Sequence, residues 1–436
     1  MWAYNSVFYQ IYPLGFCGAP FENDGKTVHR ITKVKDWIEH IKALGANAIY
    51  FSPLFESDTH GYNTRDFFKI DCRLGTNEDF KEVTAALHEN GIRVVLDGVF
   101  NHVGRGFPAF LDVVKNRESS RYRDWFHIDF GGNSNYNDGL WYEGWEGNYD
   151  LVKLNLKNPE VVEHIFSAIK FWVDEFDIDG LRLDVAYCLD YDFLRALRKY
   201  TEQLKPEFLL LGELLHGDYK ERVNGEMLHS CTNYQCYKGL YSSFNSMNMF
   251  EIIHSVQRLF GSDPWCMCRG LHLMNFADNH DVTRIASILE NEKHLPLVYA
   301  MMYGMPGFPC IYYGSEFGVT GKKSDGDQAL RPCIDEPKST ELTEFIARLS
   351  EIFKNSDALV NGTFRYIVLE CTHCIFERKT DKERVLVAIN ASAEPVTCHF
   401  DAGCGMAKEL ITETDHDFGG GSTLAPYSAE FWLMER

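Results

Sequence analysis

What this chain lacks narrows its class before anything it contains. No stretch approaches the roughly 20 consecutive apolar residues of a membrane span, and the opening MWAYNSVFYQIYP has no basic segment running into an apolar one, the pattern that directs export. Basic charge is scarce: 43 Lys and Arg stand against 63 Asp and Glu, a net charge of -20 spread along the sequence. That balance argues against nucleic acid and anionic membrane as partners and reads as solubility. Gly and Pro are scattered rather than clustered, and no internal repeat shows. The 13 cysteines form an odd set with no framework spacing, which predicts reduced thiols in the cytoplasm. Cys371 and Cys374 have the spacing of half a metal site, but no second pair answers them, so they are read as structural.

What is present is a large apolar content, 45% hydrophobic and 14% aromatic over 436 residues, enough for one large core with appendages. Short apolar strands alternate with helical patterns: VFYQIYP (7 to 13), VKDWIEHIKALG (34 to 45), AIYFSP (48 to 53), DFKEVTAALHENG (79 to 91) and IRVVLDGVF (92 to 100). The alternation resumes after residue 155 with PEVVEHIFSAIKFWVDEF, then GLRLDVA (180 to 186), FLLLGELL (208 to 215), LHLMNFADNHD (271 to 281) and FPCIYYGSE (308 to 316). With a weaker strand near LHSCTNY (228 to 234), eight βα units are counted, which predicts an α/β protein built on a closed (β/α)8 TIM barrel. Two segments break the pattern. Residues 103–150, rich in Gly, Asn, Tyr and Trp, are too long for one βα loop and are expected to be an inserted subdomain after the third strand. From 357 onward helices give way to alternating strands. The expected division is a catalytic barrel over 1–102 and 151–356, the insertion over 103–150, and an all-β sandwich domain over 357–436.

GLRLDVA poses a chemical question. Side chains alternate along a strand, so Arg182 and Asp184 point one way and Leu181, Leu183 and Val185 the other. A core strand has no use for such a charged pair unless something polar meets it. Three other strand candidates also end in polar clusters: Asn101 and His102 after VVLDGVF, Glu213 in LLLGE, and His280 and Asp281 in NFADNHD. The C-terminal ends of barrel strands converge on one face, where active sites lie. A lone carboxylate at a strand end is commonly a helix cap or a surface ion pair. Four clusters on four suitable strands point to a substrate cleft. His102 and His280 lack H-E-x-x-H or comparable spacing, which argues against zinc.

DGVFNH (97 to 102), GLRLDVA, the Gly212–Glu213 pair and FADNHD (276 to 281), in this order and on these strands, resemble the four sequence regions of the α-amylase family of glycoside hydrolases. The resemblance covers most of residues 1 to 355. It implies that Asp184 is the nucleophile, Glu213 the general acid/base and Asp281 the carboxylate that stabilises the transition state. It also implies that Arg182, His102 and His280 contact the sugar at the cleavage point, that Tyr62 in HGYNTRDF stacks beneath it, and that Asp327 and Arg331 form a further sugar-binding pair. LVKLN (151 to 155) resembles a stretch of the neopullulanase, cyclomaltodextrinase and maltogenic amylase group. Val152 stands where that group has proline, Leu215 where it has tryptophan, and its N-terminal β-sandwich module is not seen. Asn101 matches a family calcium ligand, but the first loop, GFCGAPFENDGK, lacks a D-x-N-x-D pattern. No cofactor is therefore expected to be required, with calcium left open.

The implied activity is retaining hydrolysis of α-1,4-glucosidic bonds in maltooligosaccharides or cyclic α-glucans, with transglycosylation beside it. A glucanotransferase, an isomerase or an endo-acting α-amylase uses the same machinery, and an inactive glucan-binding barrel is the remote alternative. About half of the insertion's aromatics are expected in its own small core and the rest along the cleft.

Overall fold

The computed structural model describes residues 1–434. Eight short parallel strands form its centre: β1 (Phe8–Ile11), β2 (Ala48–Phe51), β3 (Arg93–Gly98), β4 (Gly180–Leu183), β5 (Leu209–Gly212), β6 (Ser230–Cys231), β7 (Met274–Phe276) and β8 (Phe308–Tyr312). Neighbours in the sheet run from β6 down through β1 to β8 and β7. A parallel bridge from Thr232 to Met274 and the Asn233 N–H donated to the Met274 carbonyl (2.9 Å) join β6 to β7 and close the ring. Closure buries both faces of each strand, which is why Leu181 and Leu183 are as inaccessible as Arg182 between them.

The helices follow local rules. α1 (Asn77–Glu89) opens on a capping box in which Thr76 and Asp79 satisfy each other's backbone N–H. α2 (Pro159–Phe176) starts with Asn158 accepting from the Glu160 N–H and Pro159 in its first turn, then buries Val161, Ile165, Ala168, Ile169, Trp172 and Phe176 along one stripe.

Between β3 and α2 the chain leaves the barrel. His102–Gly104 pairs antiparallel with Asn148–Lys153, which pairs in turn with Gly144–Trp145. Phe107, Phe110, Trp125, Phe126 and Tyr142 form the insertion's own core. After the barrel, Thr363–Leu369, His373–Lys379, Arg384–Asn390, Ser428–Met434, Met406–Glu409 and Asp415–Asp417 lie in that order across a second sheet. Phe376, Val387 and Phe431 from this sheet belong to the same hydrophobic cluster as the barrel helices. Among the described residues no helix is long and apolar enough to cross a membrane.

Candidate active site

Strand register builds the centre of the site. Arg182 on β4 lies directly opposite Asp97 on β3 and Leu211 on β5. Its guanidinium is buried and divides among three carboxylates: Nη1 reaches Asp97 Oδ1 and Asp184 Oδ1, each at 3.0 Å, and Nη2 reaches Glu213 Oε1 at 2.7 Å. This answers the question raised by the sequence: the partner of Arg182 is a cluster of acids from three adjacent strand ends. Immediately after Asp184 the chain turns sharply. Val185 adopts φ 40°, ψ 46°, an unfavourable left-handed conformation for a β-branched residue, and its N–H donates to Glu213 Oε2 at 2.9 Å.

On the far side of the barrel mouth, Asp281 Oδ2 meets His280 Nε2 at 2.9 Å and Asp281 Oδ1 meets Arg331 Nη2 at 2.9 Å. The Gln10 amide donates to His280 Nδ1 (2.8 Å), so the ring proton sits on Nε2 and points to Asp281 and the Tyr62 hydroxyl. Tyr62 stacks on His280 with an interplanar angle of 9° and donates to Asp97 Oδ2 at 3.2 Å. Likewise, Asn101 donates its amide to His102 Nδ1 (3.2 Å), leaving Nε2 as the donor of His102. That Nε2 is buried without a partner, 3.8 Å from Asp184 Oδ2. A buried orphan donor at the wall of a cleft is suited to a ligand hydroxyl.

Electrostatics separates the carboxylates. Burial pushes Asp97 and Asp184 up to about 7, against the pull of Arg182. It also raises Glu213, where Arg182 opposes and the negative charge of Asp281 adds. Burial would raise Asp281 as well, but His280, Arg331 and Arg182 outweigh it and hold this carboxyl far below the usual range. Asp281 is therefore ionised at any working pH. Asp184 and Glu213, joined through Arg182, titrate as a coupled pair, both above the ordinary carboxylate range. Burial holds His102 down at about 3, hence neutral.

These groups face one cleft of roughly 530 Å³, whose lining includes Tyr62, His102, Asp184, Glu213, Asp281, Asp327 and Arg331. Asp327 stands at its rim, paired with Lys323 Nζ (2.5 Å) and 3.6 Å from Arg331 Nη2. The structure thus brings Tyr62, His102, Arg182, Asp184, Glu213, His280, Asp281 and Arg331 together, with Asp327 at the edge.

Of the insertion's aromatics, Trp145 lines the cleft. The sequence leads one to expect more of them there. Instead, Tyr136 lies over the Arg105 guanidinium (3.8 Å) and Trp141 donates to the Tyr149 hydroxyl (3.1 Å), both within the insertion. Calcium takes roughly six to eight oxygen ligands. Asn101 gives its amide N–H to His102, and among the described residues the metal-spaced group of acidic, His or Cys side chains is Glu56, Asp71 and Cys72, where Lys69 and Arg73 already neutralise the charge.

Sequence reasoning missed Asp97, Gln10, Tyr12 and Tyr234. Asp97 was open to the argument used for Arg182, a charge inside the apolar run RVVLDG. Gln10 orients His280, Tyr12 also stacks on that imidazole (5.8 Å), and Tyr234 lines the cleft. The last three carry no local signal, since each reads as an ordinary residue of a buried strand or helix.

The family model described as the α-amylase catalytic domain matches residues 10–358. A maltogenic α-amylase of Bacillus acidopullulyticus is 30% identical over 460 residues, covering 100% of this chain and 78% of that protein. A cyclomaltodextrinase of a Bacillus species is 31% identical over 423 residues, covering 89% and 73% respectively. Among solved structures, the cyclic α-maltosyl-(1→6)-maltose hydrolase of Arthrobacter globiformis, in complex with cyclic α-maltosyl-(1→6)-maltose, superposes with a TM-score of 0.84 at 28% identity over 99% of both chains.

Proposed function

The chain belongs to the α-amylase family, and from that premise we propose that it is a retaining hydrolase of α-1,4-glucosidic bonds in maltooligosaccharides or cyclic α-glucans. The observation that carries this reading is Arg182 holding Asp184 and Glu213 side by side at the barrel mouth, with Asp281 ionised across from them. Retention needs one carboxylate to attack the anomeric carbon while a second gives its proton to the leaving oxygen, the two being about 5 to 5.5 Å apart. Asp184 is the nucleophile. Its attack breaks the bond to the leaving oxygen and forms a covalent glucosyl ester.

Glu213, whose proton is retained by burial and by the charge on Asp281, protonates the leaving oxygen. It then takes a proton from the water that hydrolyses the ester. Positive charge develops on the sugar between these states, and Asp281 offsets it. His102 Nε2 and Tyr62 meet the sugar bound at the cleavage point. The acids, bases and charges required are all supplied by side chains, so the reaction is proposed to proceed without a cofactor. Dialysis against a chelator is expected to leave kcat unchanged.

The relatives' names supply the substrate class, a maltogenic α-amylase and a cyclomaltodextrinase. All 13 cysteines are unpaired, which supports a reducing compartment such as the cytoplasm, where short soluble glucans are the available substrates. The test is proton NMR of fresh maltotriose digests together with kcat/KM on maltotriose to maltohexaose, cyclodextrins and amylopectin. The expected result is initial release of the α-anomer and higher kcat/KM on the short or cyclic glucans per accessible chain. Release of the β-anomer, or rapid mid-chain cleavage of long amylose, overturns the reading.

A further inference from the structure

The active-site cleft does not end at Asp327 and Arg331. A second cavity of about 650 Å³ shares His60, Asp327 and Arg331 with it, so the two are adjoining chambers with those side chains as the partition. Tyr12 forms part of the second chamber's floor, and the Arg331 guanidinium lies 4.4 Å above its ring. The outer wall is the loop Gly18–Phe21, where Phe21 is 46% exposed.

A large apolar side chain in solvent is unremarkable on a mobile loop, but this loop is fixed. The buried guanidinium of Arg73, itself paired with Asp71 Oδ2 at 2.6 Å, donates to the carbonyls of Pro20, Phe21 and Thr59. Asn23 completes the anchor, its N–H donating to the Asp58 carbonyl and its amide to the Ser57 carbonyl. The backbone of Phe21 is therefore held by buried charge, while the residue lines the chamber with its side chain largely uncovered. Asp325 and Gln328 add polar groups to the same lining. One exposed aromatic face with polar groups around it matches the chemistry of a pyranose ring, which has an apolar face and a hydroxyl rim.

We propose that this chamber is a remote saccharide-binding site, with Phe21 as its stacking platform, for glucosyl units on the non-leaving side of the cleavage point. The side follows from the site as read above, and the inference rests on that reading. Glu213 protonates the leaving oxygen, so its neighbours Leu215 and Tyr187 mark the leaving-group end of the cleft, whereas Arg331 bonds Asp281 and opens toward the second chamber. The site makes the enzyme prefer substrates with several units on that side.

The test holds the leaving group constant and varies the other side: nitrophenol release from p-nitrophenyl α-glucoside and from p-nitrophenyl α-maltopentaoside by wild type, Phe21→Ala and Phe21→Trp. Phe21→Ala is expected to lower the maltopentaoside-to-glucoside ratio of kcat/KM about fivefold, the loss of one ring-stacking contact, and Phe21→Trp to restore it. In parallel, titration of maltohexaose into Asp184→Asn, with and without Phe21→Ala, reads binding apart from chemistry, and the affinity is expected to fall by the same factor. An unchanged ratio and unchanged affinity overturn the proposal. Phe21-dependent binding in a protein that hydrolyses no α-glucan leaves the chamber standing and removes the hydrolase reading instead.

Discussion

As the proposed nucleophile, Asp184 has two demands on it, and they pull in opposite directions. Attack on carbon requires its anion, yet burial pushes its pKa to about 7 from the ordinary 3.8. The acid limb of kcat/KM reports the free enzyme's essential base, so activity is expected to fall as pH drops below about 7, well above the limb of an exposed carboxylate; a pH profile of kcat/KM checks this. The same shift has a sign for stability. Between pH 4 and 7 the folded state holds the Asp184 proton that the unfolded chain has released, so this residue makes the fold progressively less stable as pH rises through that window. Asp184→Asn removes the titration and keeps an oxygen for Arg182. Its Tm relative to wild type is expected to be higher at pH 8 than at pH 5, while turnover falls by several powers of ten, as for loss of other nucleophiles. Near-normal kcat in that variant removes Asp184 from the nucleophile role.

At the scale of elements, the site is assembled from strand ends whose backbone is less regular than the strands themselves. The left-handed turn at Val185 re-aims the chain directly after Asp184 and turns an N–H toward Glu213. The N-terminus of α2 does a comparable job for the insertion. The Asn158 side-chain oxygen caps the Glu160 N–H at 2.9 Å, and its amide donates to the Asp124 carbonyl at 3.0 Å, so one residue starts the helix and ties it to the insertion. Asn158→Ala is expected to cost about 1 kcal/mol, the worth of an N-cap, seen as a lower denaturation midpoint in urea. Because Trp145 reaches the cleft from the insertion, a rise in KM for maltooligosaccharides should accompany that loss with kcat nearly constant.

Across the whole molecule, the C-terminal sheet is packed onto the barrel rather than tethered to it. Gly304, the last residue of the helix Leu295–Gly304, lies so close to the sheet that a Cβ there would sit 2.8 Å from Phe376 Cζ and 3.2 Å from Val387 Cγ1. The buried Arg378 crosses the same contact to the Gly304 carbonyl at 2.9 Å. The sheet has a small cluster of its own around Ile375, Leu386 and Trp432, but the larger barrel cluster continues into it through Phe376, Val387 and Phe431, and this shared core predicts a single calorimetric unfolding transition rather than two. Gly304→Val is expected to overpack this contact at a cost of about 1–3 kcal/mol, lowering Tm or splitting the transition without touching the cleft. Two well-separated transitions in the unmodified protein would show that the sheet folds independently.

The sequence by itself determined the barrel and which charged residues gather at its mouth, because both are written locally. Apolar strands alternating with amphipathic helices require parallel βα units, and charges placed at the strand ends of GLRLDVA, LLLGE and NFADNHD have no role in a core. Their partners were another matter. That Arg182 faces Asp97 depends on the register between β3 and β4, and register is fixed by how eight strands close, which no single segment encodes. Gln10 sets the tautomer of His280 across 270 positions of sequence. Tertiary packing likewise decided that Trp145 alone among the insertion's aromatics reaches the cleft, and that Arg73, from a different loop, fixes the wall bearing Phe21. Strand periodicity says which side chains leave the core. Only the closed ring, by bringing distant strand ends within hydrogen-bonding distance, says which of them meet and how far their pKa values move.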